Sequence, residues 1–259
     1  MYYFKFLASI LFLNFTNIAL AENKPQLFMA GDSTMAIKRY LDYPETGWGE
    51  PFQYFFSDNI LVRNLAANGR STRTFISEGI WQSIIDNLLP GDFVIIQFGH
   101  NDEVLKKTKS YTTEQQFMDN LTTMIEQVRS KGGSPLLLSS ITRRSFDRKS
   151  PEKIKSTHLY SPLVQQVAKK TKVSFIDMDE ITRKHFESMG SELSKLRFMH
   201  IKPNLHPNYP NGVTDNTHLN QLGAREVAQL VLQSLRTQKH PLTQYIVKAD
   251  PKHLSFQYR

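Results

Sequence analysis

The sequence predicts a three-layer α/β/α protein, with five parallel strands in one sheet and helices on both of its faces. Short apolar runs alternate with helical patterns five times along the chain, which is typical of parallel βαβ units. The run at residues 93–98 is almost uninterrupted in its apolar character, as expected of a strand buried on both faces. Polar motifs follow the ends of the first three predicted strands, where open α/β sheets bind their ligands.

The same patterns predict where each element lies. The strands are expected at residues 26–30, 60–65, 93–98, 134–140 and 173–177. The helices are expected at residues 50–56, 74–88, 112–131, 154–170, 179–189 and 219–236. A polar loop with prolines spans residues 197–214, and the tail after Lys239 carries no assignment. No repeat or linker interrupts this order, so residues 22–259 are expected to form a single domain.

The composition is that of an ordinary globular protein without thiol chemistry. The 259 residues are enough for one large domain with a sizeable core. Hydrophobic residues make up 40% of the chain and charged residues 22%, as in a typical soluble domain. The chain contains no cysteine, which excludes disulfides, thiol catalysis and thiolate metal sites.

The first 21 residues have the layout of a signal peptide. Lys5 precedes a mostly apolar run at residues 6–20, and the small residues Ala19 and Ala21 form a cleavage site. The alternative is a membrane anchor, but the run is short and is interrupted by Asn14, Thr16 and Asn17. We therefore expect cleavage after Ala21, no membrane insertion afterwards, and a secreted or periplasmic protein of bacterial type.

The chain is basic, with a formal charge of +8. Cleavage would remove Lys5 and no acidic residue, which leaves +7. Such a surface attracts polyanions, among them nucleic acids, anionic membranes and acidic polysaccharides; the alternative is that the charge serves solubility alone. Export and the lack of a basic-aromatic binding run argue against nucleic acid as a partner.

Candidate catalytic residues stand at the predicted strand ends. Ser33 follows the first strand in the motif Gly31-Asp32-Ser33, Gly69 follows the second strand, and Asn101 follows the third. Asp215 and His218 come just before the last helix, at a spacing that lets one short turn present both to the same side. Parallel topology would gather these positions at one edge of the sheet.

These residue types suit nucleophilic catalysis. An aspartate can orient a histidine, whose other ring nitrogen can take the proton of a serine hydroxyl. The backbone N–H groups of Ser33 and Gly69 and the amide of Asn101 could bind an oxyanion. Each residue also has a structural interpretation: Gly69 permits a positive φ, Asn101 caps a helix, and Asp215 closes a loop. Their joint occurrence at successive strand ends favours a site.

The sequence resembles the SGNH, or GDSL-type, hydrolase superfamily from about residue 26 to residue 236. The matching blocks are Gly31-Asp32-Ser33, Gly69, Gly99-His100-Asn101-Asp102 and Asp215-Asn216-Thr217-His218. Longer strings are most similar to the rhamnogalacturonan acetylesterase branch. They are Gly47-Trp48-Gly49, Asn68-Gly69-Arg70-Ser71-Thr72-Arg73, Gln97-Phe98-Gly99-His100-Asn101-Asp102 and the stretch from Tyr209 to His218.

The resemblance implies a flavodoxin-like fold with neither metal nor cofactor. It implies Ser33 as nucleophile, His218 as general base and Asp215 as its orienting partner. It also implies Ser33, Gly69 and Asn101 as oxyanion donors. The expected activity is that of a serine esterase that removes O-acetyl groups from an acidic or neutral acetylated polysaccharide, with pectin-type rhamnogalacturonan as the favoured substrate. The protein is expected to be a monomer. The alternatives are a xylan or peptidoglycan deacetylase, a broad short-chain esterase or lysophospholipase, and a noncatalytic polysaccharide-binding relative.

Several other residues are candidates for the substrate side of the site. Arg70 and Arg143, with Arg73 and Arg144 beside them, follow strands two and four and could bind a uronate carboxylate; the alternative is solvated surface charge. His206, Asn208 and Tyr209 could line a sugar cleft or only pack their loop. Trp48 could stack on a sugar or anchor the core, and His100 is expected to form a wall of the site.

Overall fold

A five-stranded parallel sheet forms the centre of the protein in the computed structural model, which describes residues 24–155 and 158–247. The strands are β1 (Gln26–Gly31), β2 (Leu61–Asn64), β3 (Phe93–Gln97), β4 (Ser134–Leu138) and β5 (Ser174–Ile176). They are arranged in the order β2-β1-β3-β4-β5, and every neighbouring pair is parallel. The predicted sheet is confirmed, whereas the predicted signal peptide lies outside the described residues.

Seven α-helices cover the sheet in the described part of the chain. They are α1 (Gly49–Phe52), α2 (Thr72–Ser77), α3 (Ile80–Asn87), α4 (Glu114–Ser130), α5 (Ser161–Thr171), α6 (Met178–Ser194) and α7 (Gln221–Thr237). None of these helices is long and apolar enough to cross a membrane. After α7 the chain makes a 3-10 turn at Pro241–Tyr245, in the tail that the sequence left unassigned.

Two hydrophobic clusters lie on opposite faces of the sheet. Leu27 and Met29 of β1 belong to one cluster, together with side chains of α1, α6 and α7. Phe28 and Ala30 belong to the other, together with side chains of α2, α3, α4 and α5. This alternation follows from the two-residue period of a strand. The predicted three layers are therefore confirmed.

The register of β1 and β3 places their carboxyl ends at the same level. Leu27 pairs with Phe93, and the pairing continues in step to Gly31 and Gln97. All five residues of β3 are buried, because this strand lies between β1 and β4 with a hydrophobic cluster on each face. The residues that follow Gly31 and Gln97 consequently emerge side by side.

Two predicted helices have different limits in the structure. The helix expected at residues 74–88 is two helices, because Gly79 adopts a φ of 77° and separates α2 from α3. The helix expected from residue 154 begins at Ser161 instead, with Pro162 in its first turn, the position at which proline is accepted. Ile154 lies in a bridge with Phe146.

The predicted polar loop at residues 197–214 is wrong in part. An antiparallel hairpin forms there from β6 (Phe198–Ile201) and β7 (Val213–Leu219). The pairing passes from Phe198–Leu219 directly to His200–Thr214, so β7 carries extra residues and bulges at this point. Asp215 and His218 therefore lie in a bulged strand rather than in a free turn.

Candidate active site

Ser33, His218 and Asp215 form a connected chain of side chains at the carboxyl edge of the sheet. Ser33 Oγ lies 2.9 Å from His218 Nε2, and His218 Nδ1 lies 2.7 Å from Asp215 Oδ2. A carboxylate can only accept, so Nδ1 carries the proton that faces Asp215 and Nε2 is the acceptor for the serine hydroxyl. This arrangement can draw a proton from Ser33.

The turn after β1 holds Ser33 in place. Asp32 is fully buried, and its Oδ1 accepts hydrogen bonds from the backbone N–H and the hydroxyl of Thr34 at 2.9 and 2.8 Å. Burial raises the pKa of Asp32 above its ordinary value, against the lowering effect of the Thr34 hydrogen bonds. A Cβ at Gly31, the last residue of β1, would lie 2.9 Å from Met35 Sδ and 3.0 Å from the carbonyl oxygen of Gln97, so a larger residue would displace these neighbours.

The bulge in β7 orients Asp215 toward His218. Asp215 Oδ1 accepts hydrogen bonds from the backbone N–H groups of Thr217 at 2.6 Å and His218 at 3.0 Å, which leaves Oδ2 for the imidazole. Burial works to raise the pKa of Asp215, but the hydrogen bonds from the His218 ring and from the two backbone groups lower it to about 2. The carboxylate is thus ionised at neutral pH and fixed in direction.

Gly69 and Asn101 line the cleft that also contains Ser33 and His218. Gly69 has a φ of 76°, which its lack of a side chain permits without strain. Asn101 Nδ2 donates to the carbonyl oxygen of Arg70 at 2.9 Å, and Asn101 Oδ1 accepts from Lys107 Nζ at 2.8 Å. Both residues line the same cleft as Ser33.

That cleft has a volume of about 420 Å³, and six of the candidate residues line it. The expected residues in its lining are Ser33, Gly69, His100, Asn101, Arg143 and His218. The others are Glu45, Asn68, Val104, Lys107 and Thr217. Asn68 and Thr217 stand within matching motifs but carried no predicted role. No motif marked Glu45, Val104 and Lys107, because they come from loops whose course only the fold determines.

Of the four candidate arginines, Arg143 alone is among the described residues that line the cleft. Arg143 Nη1 lies 3.1 Å from Glu103 Oε1, and its Nη2 donates to the carbonyl oxygen of His100. Arg70 is turned to the surface, where it pairs with Glu78 at 2.8 Å. Its expected role in the cleft finds no support in this position.

The two remaining arginines also have structural partners. Arg73 donates to Gln116 Oε1 at 3.0 Å on the surface. Arg144 is buried and donates to Ser194 Oγ at 3.0 Å and to Asn216 Oδ1 at 2.9 Å. Since Asn216 follows Asp215 directly, Arg144 connects the end of the α6 helix to the bulge in β7. Its side chain thus lies beside Asp215 and outside the cleft lining, so its expected role in binding substrate finds no support.

The candidate sugar-contacting residues before the triad hold their loop together instead. Asn208 Nδ2 donates to the carbonyl oxygens of Tyr40 and Tyr43, both at 2.9 Å, and the Tyr209 hydroxyl donates to the carbonyl oxygen of Asp42 at 2.6 Å. His206 Nδ1 accepts from the backbone of Asn208 and is outside the cleft lining. The structure therefore favours loop packing for these residues.

Trp48 is a core residue. Its side chain is fully buried, and its Nε1 donates to Gln97 Oε1 at 2.8 Å. Gln97 in turn donates from Nε2 to the carbonyl oxygen of Ser139 at 3.0 Å. The tryptophan thus connects the loop after Ser33 to the ends of β3 and β4, and it cannot stack on a sugar.

Two buried groups support the wall of the cleft. His100 packs edge-to-face on His158, with ring centroids 4.4 Å apart, and burial holds the pKa of His100 well below its ordinary value. Asp102 Oδ1 accepts from the backbone N–H of Thr72 at 2.9 Å and from its hydroxyl at 2.6 Å. Burial raises the pKa of Asp102 to about 7. These contacts tie the loop after β3 to the first turn of α2.

The candidate site offers a serine hydroxyl, an imidazole, a carboxylate and N–H donors. In the described residues, no group of three or more histidine, aspartate or glutamate side chains is arranged to hold a metal ion. The chemistry that the geometry supports is attack by a serine oxygen on an acyl carbon, with histidine as base and N–H groups for the oxyanion.

Comparison with known proteins agrees with this geometry. The model of the GDSL-like lipase/acylhydrolase family matches residues 29–225. The rhamnogalacturonan acetylesterase RhgT of Bacillus subtilis (strain 168) is 40% identical over 228 residues, which cover 88% of this chain and 96% of that protein. The probable rhamnogalacturonan acetylesterase YesY of the same strain is 33% identical and covers 86% and 97% of the two chains.

The fold has solved relatives as well. The crystal structure of the protein YxiM from Bacillus subtilis superposes with a TM-score of 0.72 at 26% identity, over 84% of this chain and 58% of that one. This chain thus spans little more than half the length of that protein. Together with the match over residues 29–225, these similarities show that the chain is an esterase and belongs to the GDSL-like lipase/acylhydrolase family.

Proposed function

We propose that this esterase removes O-acetyl groups from a rhamnogalacturonan-type polysaccharide, with Ser33, His218 and Asp215 as its catalytic residues. The observation that carries the proposal is the continuous hydrogen-bonded chain from Ser33 Oγ through His218 to Asp215 in an open, polar cleft. The 40% identity to a protein named rhamnogalacturonan acetylesterase supports the substrate class.

The reaction proceeds in two half-reactions. His218 Nε2 takes the proton of Ser33 while Oγ attacks the acetyl carbonyl carbon. The tetrahedral intermediate expels the sugar oxygen, which receives that proton and leaves as a hydroxyl. Water then loses a proton to His218 and attacks the acetyl-enzyme, and acetate leaves as Ser33 regains its proton. Asp215 keeps the imidazole in the required tautomer throughout.

The negative charge of each tetrahedral intermediate falls on the former carbonyl oxygen. In our proposal, the N–H groups of Ser33 and Gly69 and the Nδ2 of Asn101 stabilise that charge. One such donor is worth about 3–4 kcal/mol of transition-state stabilisation. The positive φ of Gly69 turns its backbone without strain, which suits a residue that contributes only its N–H.

Two cations support an acidic substrate. Arg143 and Lys107 both line the cleft, where they suit the carboxylate of a galacturonic acid unit; Arg143 also keeps its ion pair with Glu103 at 3.1 Å. The acidic residue of the lining, Glu45, lies 2.7 Å from Lys38 Nζ, which compensates its charge. The net charge of the chain, +8, favours association with a polyanion.

We also propose that the chain is exported and that residues 1–21 are its signal peptide. A polymeric substrate of this kind lies outside the cytoplasm, which is consistent with the leader-like composition of that stretch. Expression of the full chain, followed by N-terminal sequencing of the extracellular or periplasmic protein, would test this. A mature N terminus at Glu22 is expected, and an uncleaved chain retained in the cell would contradict it.

Acetate release tests the proposed activity. The purified protein should release acetate from acetylated rhamnogalacturonan faster than from acetylated xylan or O-acetylated peptidoglycan, and Ser33→Ala should abolish release. Ser130→Ala is the matched control, because the Ser130 hydroxyl is exposed and only donates to the carbonyl of Gln127. A preference for xylan, for peptidoglycan or for long-chain acyl esters would refute the substrate class, and an active Ser33→Ala would refute the mechanism.

A further inference from the structure

The carboxamide of Asn101 is held at both of its ends. Nδ2 donates to the backbone carbonyl of Arg70 at 2.9 Å, and Oδ1 accepts from the Lys107 ammonium at 2.8 Å. A carbonyl can only accept and an ammonium can only donate, so the amide has a single permitted orientation. Asn101 is 3% exposed and lines the cleft, and the second N–H of Nδ2 has no hydrogen-bond partner among the described residues.

Backbone hydrogen bonds hold the loop that brings Lys107 to Asn101. The backbone N–H of Lys107 donates to the carbonyl oxygen of Val104, and its own carbonyl oxygen accepts from Ser110 and Tyr111, all at 2.8 Å. The backbone N–H of Thr112 donates to the carbonyl oxygen of Asp102 at 3.0 Å and closes the loop. The backbone of Lys107 is therefore fixed, although its side chain is long.

The charge of Lys107 is not neutralised by a carboxylate of the residues that the structure describes. Its ammonium forms a hydrogen bond with Asn101 Oδ1 and no ion pair there. Hydrogen bonds from an ionised donor are stronger than those between neutral groups. A hydrogen bond at the oxygen of an amide polarises the group, and this strengthens its N–H as a donor.

We propose that Lys107 is a positioning residue for ester hydrolysis: its ammonium fixes and polarises the Asn101 carboxamide, so that the cleft-facing N–H is a better oxyanion donor. The proposal rests on the oxyanion role given to Asn101 under the proposed function. It assigns to Lys107 an effect on the transition state, distinct from the binding of a carboxylate on the substrate.

A neutral ester separates these two roles. With p-nitrophenyl acetate as substrate, Lys107→Met should lower kcat about tenfold and leave KM within twofold, short of the 10²- to 10³-fold loss that follows complete removal of a donor. Lys107→Arg should recover a large part of the loss, because guanidinium also donates to Oδ1. Lys106→Met and Lys109→Met are the matched controls, because both lysines are exposed in the same loop. Neither substitution should change kcat.

The double variant tests whether Lys107 acts through Asn101. Lys107→Met should have no further effect on kcat in an Asn101→Ala background, because the group that it orients is gone. Losses of kcat that add up in the double variant would overturn the proposal. A Lys107→Met variant with unchanged kcat on p-nitrophenyl acetate, and with a raised KM only on acidic polymer, would also overturn it. Thermal unfolding verifies that each variant is folded, and Asn101→Ser replaces Asn101→Ala if the latter is not.

The proposed function can fail separately. An active Ser33→Ala variant would refute the nucleophile whatever Lys107 does. If Ser33→Ala is inactive and Lys107→Met has wild-type kinetics on the neutral ester, the esterase mechanism stands and the role of Lys107 is refuted.

Discussion

Asp215→Asn is the substitution whose outcome the geometry of the site predicts in most detail. The side chain keeps its size, so the hydrogen bonds of its neighbours decide how the amide is oriented. The backbone N–H groups of Thr217 and His218 reach Oδ1 at 2.6 and 3.0 Å and can only donate. They hold the amide oxygen, and the NH₂ group must then face His218 Nδ1. Nδ1 becomes an acceptor, and the proton of the imidazole moves to Nε2, where it faces Ser33.

An imidazole with its proton on Nε2 cannot take the proton of the serine hydroxyl. A triad trapped in this tautomer loses about 10⁴-fold in kcat, or about 5 kcal/mol. The stability cost is much smaller. The pKa of Asp215 falls from 3.8 to about 2 in the folded protein, which corresponds to at most about 2 kcal/mol, and partial exposure of the side chain reduces that figure.

The assay is turnover of p-nitrophenyl acetate at pH 8, with thermal unfolding of the same samples. Because the folded pKa of Asp215 is below its unfolded value, its stabilisation is present above about pH 4 and is lost as the pH falls through 2. The difference in Tm between wild type and Asp215→Asn should therefore shrink in acid. Asp147→Asn is the control, since Asp147 Oδ1 accepts from the backbone N–H of Lys149 and Asp147 is outside the cleft lining. A folded Asp215→Asn variant that keeps more than a tenth of the wild-type kcat would refute the tautomer argument.

Three further outcomes follow from buried contacts around the site. Asp102 has its pKa raised from 3.8 to about 7, so the folded protein retains a proton that the unfolded chain has lost. Wild-type stability should thus fall between about pH 4 and 7 relative to Asp102→Asn, by at most about 1.4 kcal/mol per pH unit; parallel stability curves for the two proteins would contradict this. Arg144→Met removes the donor to Asn216 Oδ1 and Ser194 Oγ and should lower the free energy of unfolding in urea by about 1–3 kcal/mol. It should also lower kcat, because the β7 bulge loosens. An unchanged kcat would show that Arg144 does not position the triad. Trp48→Phe removes the donor to Gln97 Oε1 and should cost about 1–3 kcal/mol, whereas Tyr54→Phe, at an exposed position, should leave the urea midpoint unchanged.

The sheet and the residues at its edge could be predicted from sequence because each depends on local information. The apolar character of β3 follows from its burial on both faces, and parallel strands necessarily bring their carboxyl ends together. Ser33, Gly69 and Asn101 could be placed on that basis, since each lies in the loop that follows a strand. The order β2-β1-β3 makes the three strand ends immediate neighbours.

The limits of the prediction lie where tertiary contacts override local pattern. The β7 strand has polar residues at most positions and resembles a loop, because its bulge and pairing with β6 are determined by a partner strand. Arg144 follows β4 as a substrate-binding arginine would, yet it is buried against α6 and Asn216. No sequence motif marks Lys107. Its contact with Asn101 depends on the course of the loop after β3, which brings the two side chains together only in the folded protein.

The two halves of the site have different mechanical supports, and this determines how substitutions act on them. The proposed nucleophile and oxyanion donors follow strand ends of one sheet, where the register of β1 and β3 fixes the relative height of Ser33 and Asn101. His218 is on a separate hairpin, whose Phe198 and Leu219 pack in the same hydrophobic cluster as β1. The hairpin also contacts the loops beside the sheet, through Arg144 and through the hydrogen bond from the backbone N–H of Thr46 to the carbonyl oxygen of Leu219, 2.9 Å long. Loosening the hairpin would lengthen the distance from Ser33 Oγ to His218 Nε2, now 2.9 Å, without disturbing the oxyanion donors. Substitutions outside the cleft should therefore affect proton transfer most, and substitutions within the cleft should affect oxyanion stabilisation most.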